Sequence, residues 1–220
     1  MFFKKYILIP LAWPFTWLFL KFNITANQTT LLRLFLFLIA VGLITISYSY
    51  LGFFFLYLNL LFDYVDGQIS RVSNTASFAG KFFDGLLDTV TGVAFPLLVA
   101  LAVYKDNNDF TPIIFGFLST YFNFSYLYLI IRYSFYLEII KEKKSIQSSP
   151  LVKYIEGRML LDWNDFKYST FIIFCLFKFE VYFVYMCFLV NCFFFILLFF
   201  IKVIKANKVL NIYRKSKSQR

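Results

Sequence analysis

Four aspartates lie in a stretch of the chain that is otherwise mostly apolar, at positions 63, 66, 84 and 88. An acidic residue at membrane depth costs about 2.5 to 3.5 kcal/mol, so such residues usually face an interior cavity and mark a functional site. The first two are three residues apart and the last two are four apart, which places each pair on one face of a helix. A short polar segment separates the pairs, so two antiparallel helices could bring all four carboxylates into one pocket.

Divalent metal is the chemistry that such a pocket favours. Four ionised carboxylates this close together repel one another, and a bound cation removes the repulsion. Ligation by oxygen alone suits Mg²⁺, Mn²⁺ or Ca²⁺, and Mg²⁺ typically shares its coordination with substrate phosphates. Two ions are expected, because one alone leaves excess negative charge. The sequence therefore predicts Mg²⁺ or Mn²⁺ bound by Asp63, Asp66, Asp84 and Asp88.

The residues beside the aspartates suit a substrate that carries phosphate. Gly67 and Gly80 remove side chains where a helix must let a bulky ligand approach. Arg71, one turn beyond Gly67, offers a permanent cation to a phosphate. Each glycine standing alone would more often serve close helix packing. Next to the aspartates, we expect the ligand to be the reason for both.

These residues match a family pattern. The run Asp63-x-x-Asp66-Gly67-x-x-Ser70-Arg71, eight further residues, and Gly80-x-x-x-Asp84-x-x-x-Asp88 resembles the CDP-alcohol phosphotransferase signature, D-x-x-D-G-x-x-A-R-(x)8-G-x-x-x-D-x-x-x-D. All seven fixed identities other than the alanine occur at the right spacing, and the departure, Ser70 for Ala, keeps the residue small. The resemblance implies a metal-dependent transferase that uses a CDP-alcohol.

A weaker resemblance lies at residues 26–33, where the segment A-N-Q-T-T-L-L-R is similar to the P-N-x-x-T-x-x-R segment of many members. It implies that Asn27 and Thr30 help to bind the nucleotide, with Ser77 a further candidate. The alternative for Asn27 and Thr30 is capping of the first spanning helix. The predicted CDP-binding residues are Asn27, Thr30, Asp63, Gly67, Ser70, Arg71, Ser77 and Gly80.

The resemblance also implies roles and partners. Asp63, Asp66 and Asp84 hold metal on the diphosphate, and Asp88 acts as the catalytic base on the acceptor hydroxyl. The donor is CDP-diacylglycerol, or alternatively a soluble CDP-alcohol with a lipid acceptor, and the acceptor is a polar alcohol. The family further suggests a homodimer. Four cations could bind an acceptor phosphate, unless they are snorkelling side chains or topology signals: Arg33, Lys81, Arg132 and Arg158.

The elements that must position these residues are membrane helices. The chain has 220 residues, of which 60% are hydrophobic, and a spanning helix needs about 20 apolar residues. We predict an all-α membrane protein with six transmembrane helices, at about 31–50, 51–70, 79–104, 111–136, 169–186 and 187–204, with a tight turn near 178–182. Residues 141–168 are predicted to form a polar cytoplasmic loop with a short helix.

The positive charges set the predicted orientation. With the N-terminus inside, seventeen Lys and Arg residues fall on the cytoplasmic side and two outside. The net charge of +10 therefore reflects topology and anionic lipid, and we expect no binding to nucleic acid. Pro10 and Pro14 interrupt the apolar N-terminal run, while Trp13, Trp17 and flanking lysines favour an amphipathic helix at the interface over a seventh span.

The whole chain is predicted to be one integral membrane domain: an interfacial helix at 1–26, a six-helix core at 27–205 and a basic cytoplasmic tail at 206–220. We expect it in the cell (inner) membrane, as a multi-pass protein whose site faces the cytoplasm and which takes part in phospholipid biosynthesis. Histidine is absent, which excludes Ser-His-Asp and Cys-His catalysis. A cation transporter or channel lined by acids is the alternative of another class, but it would not require the two glycines and Arg71 at these spacings.

Overall fold

The computed structural model describes residues 4–140 and 160–218, with side chains described for 6–132 and 166–204. These parts are helical apart from short turns, and they contain no strand. A short π-helical segment, Lys4–Leu8, leads into the first helix. The helices are α1 (Ile9–Lys21), α2 (Ala26–Thr45), α3 (Ser49–Val72), α4 (Phe78–Asn107), α5 (Thr111–Ile140), α6 (Leu160–Leu176) and α7 (Glu180–Ser218).

Four stretches of these helices are long and apolar enough to cross a membrane, at 26–45, 78–107, 111–132 and 180–204. Helix α3 has 24 residues, but its polar side chains lower its mean hydropathy. The described part of helix α6 has 17 residues. The predicted all-helical class is therefore confirmed, whereas six spans and an interfacial position for α1 stay predictions.

The predicted boundaries of the last two spans are wrong. Helix α6 begins at Leu160, inside the segment that we predicted to be a loop, and it ends at Leu176. The chain turns at 177–179, where Lys178 adopts a left-handed conformation with φ of 57°. Helix α7 then continues to Ser218, so the described part of the predicted tail is helical. The turn at 177–179 overlaps the one predicted near 178–182, whereas the predicted span boundary at 186 and 187 lies inside α7.

The two aspartate pairs are held together by the packing of α2 against both α3 and α4. Asn59 of α3 donates a hydrogen bond from its side chain to the carbonyl oxygen of Arg33 on α2, at 2.6 Å. Helix α1 packs on the other side of α3, where the Phe19 and Phe62 rings lie 5.5 Å apart. The Thr16 hydroxyl lies 2.6 Å from Oε1 of Gln68, two residues after Asp66. Polar contacts thus fix α3, which carries two of the aspartates, on both sides.

Pro96 opens the hydrogen-bonding pattern of α4 at the carbonyl of Gly92, one turn from Asp88. A proline has no N–H, so the carbonyl of Gly92, four residues earlier, lacks its usual partner within the helix. Lys167 of α6 donates to that carbonyl at 2.7 Å, and the amide of Asn123 on α5 lies 3.4 Å from it. Lys167 is fully buried. Its predicted place in a cytoplasmic loop is therefore wrong, because it satisfies a backbone group inside the bundle.

Candidate active site

The guanidinium group of Arg33 lies among all four aspartates. Its Nη1 atom is 3.0 Å from Oδ1 of Asp63 and 2.9 Å from Oδ2 of Asp66. The same nitrogen contacts Oδ1 of Asp84, and Nη2 contacts Oδ1 of Asp88. Arg33 is almost completely buried, with 1% of its surface exposed. The two helices that carry the aspartates thus meet around one cation from a third helix, α2.

Three of the carboxylates form a set that suits a divalent metal. One oxygen from each of Asp63, Asp66 and Asp84 lies within 4.8 Å of the other two. Hard oxygen ligands of this kind are those that Mg²⁺ and Mn²⁺ prefer. Each of these three carboxylates also has one oxygen in contact with Nη1 of Arg33, so the three residues surround a positive charge. The donor set therefore fits the predicted metal.

Asp88 is arranged differently from the other three. It contacts Nη2 of Arg33 and not Nη1, and 48% of its side chain is exposed. It also lies outside the three-carboxylate set. An oxygen that is open to solvent beside a metal site is placed to meet an incoming hydroxyl group. This position suits the predicted role as a base.

A polar cavity of about 310 Å³ opens beside the aspartates, between the N-terminal ends of α2 and α4 and the C-terminal half of α3. Asp66 and Asp84 lie in its wall, with Lys81 near them. All the residues predicted to bind CDP line this cavity except Asp63, namely Asn27, Thr30, Gly67, Ser70, Arg71, Ser77 and Gly80. Residues from three helices and one loop therefore come together, although their role as nucleotide ligands stays a prediction.

The helix caps leave Asn27 and Thr30 available for another purpose. Thr25 caps α2 by accepting a hydrogen bond from the N–H of Gln28, whose side chain accepts one from the N–H of Thr25 in return. The alternative that Asn27 and Thr30 cap this helix is therefore wrong. The Thr30 hydroxyl instead lies 3.1 Å from Oδ2 of Asp66.

Ser77 does act as a cap at the start of α4. Its hydroxyl oxygen accepts a hydrogen bond of 3.0 Å from the N–H of Gly80. The same side chain lines the polar cavity. The predicted role in CDP binding thus has to share this hydroxyl group with the helix end.

A second, apolar cavity of about 460 Å³ adjoins the polar one. The two cavities share Asn27, Thr30 and Gly80 in their walls. The rest of the apolar cavity is formed by α2 and α4, with the side chains of Leu31, Leu34, Ala79, Phe83, Leu86, Leu87 and Val90. A molecule with a polar head and apolar chains could occupy both.

Most of the chain matches a known protein family. The family described as CDP-alcohol phosphatidyltransferase matches residues 23–204, a range that contains every helix from α2 to α6 and most of α7. The chain belongs to this family. A search of curated proteins and a search of solved structures returned no match.

Membership of the CDP-alcohol phosphatidyltransferase family confirms the resemblance found in the sequence. The family consists of transferases that move a phosphoalcohol from a CDP-alcohol, and they generally depend on a divalent metal. The aspartate cluster agrees with that dependence. The four long apolar helices, together with the family, indicate an integral membrane protein.

The four cations predicted to bind an acceptor phosphate lie in different places in this transferase. Lys81 lines the polar cavity. Arg33 is buried among the aspartates, so it is not a snorkelling cation. Arg132 is exposed on α5 and lines neither cavity. Arg158 lies outside the described residues.

Asn59 is a residue of this site that the sequence analysis missed. It is buried, and its hydrogen bond to the Arg33 carbonyl anchors α2 at the level of the aspartates. Asn59, Asp63 and Asp66 are spaced by four and three residues, so they lie on the same face of α3. That spacing was the available signal, because a buried amide in an apolar helix needs a partner.

The two glycines of the transferase signature are expected to respond differently to alanine. A Cβ atom at Gly67 would meet only the Arg71 guanidinium group, at 3.6 Å, whereas at Gly80 it would come within 2.7 Å of Oδ1 of Asn27. We therefore expect Gly67→Ala to fold as the wild type does and to bind CDP about tenfold more weakly, because the added methyl group fills space meant for ligand.

Isothermal titration of the purified protein with CDP measures this effect. Gly85→Ala is the matched control, since a Cβ atom there has no neighbour within 4 Å and Gly85 lines neither cavity. Equal CDP affinity in Gly67→Ala and Gly85→Ala would show that Gly67 does not make room for the nucleotide.

Proposed function

We propose that this protein transfers a phosphatidyl group from CDP-diacylglycerol to a hydroxyl group of a polar acceptor, releases CMP, and so acts in phospholipid biosynthesis. The observation that carries the proposal is the pair of adjoining cavities. One is polar and lies beside the aspartates, and the other is apolar and lies along α2 and α4. CDP-diacylglycerol has a charged nucleotide head and two acyl chains, which matches this division.

The apolar cavity also favours a lipid donor over a soluble one. It meets the polar cavity at Asn27 and Gly80, two residues that are expected to contact the nucleotide. An acyl chain lying there would be close enough to the CDP head to belong to the same molecule. With a soluble CDP-alcohol, the apolar walls would need a lipid acceptor to cover them.

The residues supply a coherent reaction. The acceptor oxygen attacks the β phosphorus of the donor, the bond from that phosphorus to the bridging oxygen breaks, and CMP leaves. Asp88 takes the proton from the acceptor hydroxyl, and Arg71 holds phosphate at the rim of the polar cavity. Mg²⁺ or Mn²⁺ bound by Asp63, Asp66 and Asp84, with two ions expected, would offset negative charge on the diphosphate.

The proposed topology has six spans, with α1 at the interface and the site facing the cytoplasm of the cell membrane. On α1, Trp13 and Trp17 are exposed, and the Lys21 ammonium group lies 5.3 Å from the centre of the Trp17 ring. Tryptophan and lysine side by side are typical of a helix that lies among lipid headgroups. The polar cavity opens at the same end of the bundle, near the 73–77 loop.

The proposal is tested by measuring CMP release from protein in lipid nanodiscs with Mg²⁺ or Mn²⁺. CDP-diacylglycerol is offered with glycerol 3-phosphate, inositol, inositol phosphate or serine as the acceptor, and CDP-choline is offered with diacylglycerol. We expect turnover with CDP-diacylglycerol and one of these acceptors. Turnover with CDP-choline and a diacylglycerol acceptor instead would favour the soluble donor, and no turnover with any CDP-alcohol would contradict the reaction itself.

A further inference from the structure

The Nη1 atom of Arg33 occupies the centre of the predicted metal site. It contacts Asp63, Asp66 and Asp84, the same three residues whose oxygens lie within 4.8 Å of one another. Carboxylate oxygens bind Mg²⁺ at about 2.0 to 2.1 Å. An ion bound to the oxygens that Nη1 now contacts would overlap with that nitrogen. Arg33 and a metal therefore cannot share these three oxygens.

The charges in the site explain why a cation is needed there at all times. Four carboxylates this close together would repel one another without a counter-ion, even at a site that is only partly buried. One guanidinium group offsets a single unit of this charge and holds the two aspartate helices together. A divalent ion offsets two units and binds the oxygens more closely, so it can replace the contacts that Nη1 makes.

The Arg33 side chain is not completely satisfied where it lies. Its Nε atom is buried and has no hydrogen-bond partner within the described part of the chain. A buried donor without an acceptor is unfavourable. The backbone of Arg33, by contrast, is fixed by the hydrogen bond from Asn59 to its carbonyl. The anchored backbone and the unsatisfied side chain suit a group that leaves its position while its helix stays in place.

We infer that Arg33 is a built-in counter-ion that holds the three-carboxylate site together before metal binds and is displaced when metal binds. A bound metal and the Nη1 contacts then exclude each other. Because Arg33 competes with the metal for these oxygens, it sets the metal concentration that the enzyme needs. This inference rests on the metal site of the proposed function. It concerns a positioning residue, because Arg33 acts through the aspartates.

Metal binding without turnover tests the inference. Free Mn²⁺ is followed by electron paramagnetic resonance while the metal-free protein in nanodiscs is titrated with Mn²⁺. We expect Arg33→Met to bind Mn²⁺ at least about tenfold more tightly than the wild type, because the competing charge-assisted hydrogen bonds are gone. The same variant is expected to unfold about 5 °C lower in EDTA, with a smaller deficit in saturating Mn²⁺.

Lys81→Met is the matched control for charge. Lys81 lines the same cavity as Asp66 and Asp84, but no ion pair between it and a carboxylate occurs in the described residues. Its loss is expected to change Mn²⁺ affinity by less than about threefold. An equal gain in Mn²⁺ affinity in both variants would mean that Arg33 acts only through its charge. Weaker Mn²⁺ binding in Arg33→Met than in the wild type would mean that Arg33 supports the metal site permanently and is not displaced. Either result would overturn the inference.

Arg33→Lys covers the case in which the methionine variant does not fold. Lysine keeps the charge but has three donors where arginine has five, so we expect its Mn²⁺ affinity and its stability in EDTA to fall between those of the wild type and Arg33→Met. Recovery of folded Arg33→Met only in the presence of Mn²⁺ would support the inference. Failure of both variants to fold even with Mn²⁺ would overturn it, and a wild type that binds no Mn²⁺ would remove the metal site of the proposed function as well.

Discussion

Replacing Asp88 with asparagine is expected to lower CMP release from CDP-diacylglycerol by about 10³-fold, within the range that a general base contributes. Asparagine keeps the shape of the side chain but cannot accept the proton of the acceptor hydroxyl. Asp88 is half-exposed and its ion pair is with Nη2 of Arg33, whereas the other three carboxylates contact Nη1, so we expect them to stay in place in the variant. We therefore expect Mn²⁺ affinity to fall by less than about tenfold.

Asp106→Asn provides the control for this change. Asp106 lies near the other end of α4 and is exposed, so the same substitution there should leave both turnover and Mn²⁺ binding as in the wild type. Wild-type activity in Asp88→Asn would exclude Asp88 as the base. A collapse of Mn²⁺ binding in that variant would show instead that Asp88 is mainly a metal ligand.

Asp66→Asn is expected to abolish both metal binding and turnover. Asp66 is the most buried of the four, and its Oδ2 lies near both Thr30 and Arg33. An amide contributes no negative charge to the site, so we expect Mn²⁺ affinity to fall at least about 100-fold and CMP release to drop below about one thousandth of the wild-type rate.

Thermal unfolding separates this effect from a loss of fold. In EDTA, Asp66→Asn removes one of four carboxylates that repel one another, so its midpoint is expected to equal or exceed that of the wild type. Added Mn²⁺ should then raise the midpoint of the wild type but not that of the variant. Full activity in Asp66→Asn at ordinary Mg²⁺ concentrations would contradict the proposed metal site.

The intervals between residues along each helix were sufficient to predict much of the site. The intervals between the aspartates placed each pair on one face, and the structure brings both pairs together around Arg33. The family signature then identified Gly67, Arg71 and Gly80, which do line one cavity. The family assignment is confirmed, whereas the individual ligand roles stay predictions.

Contacts between distant helices could not be predicted in the same way. Arg33 lies within an otherwise apolar part of α2, and nothing in its neighbours along the chain indicates that four carboxylates surround it. Lys167 belongs to a polar segment by composition, but its partner is a carbonyl that Pro96 leaves open 75 residues earlier. The turn at 177–179 overlaps the turn predicted near 178–182, but the span boundary at 186 and 187 was misplaced because phenylalanine and leucine on both sides of the turn give one nearly continuous apolar run.

The contact between Lys167 and Gly92 also bears on how the protein is made. A lysine ammonium group that enters a bilayer alone costs about 2.5 to 3.5 kcal/mol at the centre of a helix, and Lys167 lies in the middle of the described part of α6. The open carbonyl on α4 supplies a partner, and α4 leaves the ribosome before α6 does. In the proposed six-span topology, α6 would therefore insert beside a helix already in the bilayer, and Pro96, which leaves that carbonyl open, would contribute to biogenesis as well as to the finished structure.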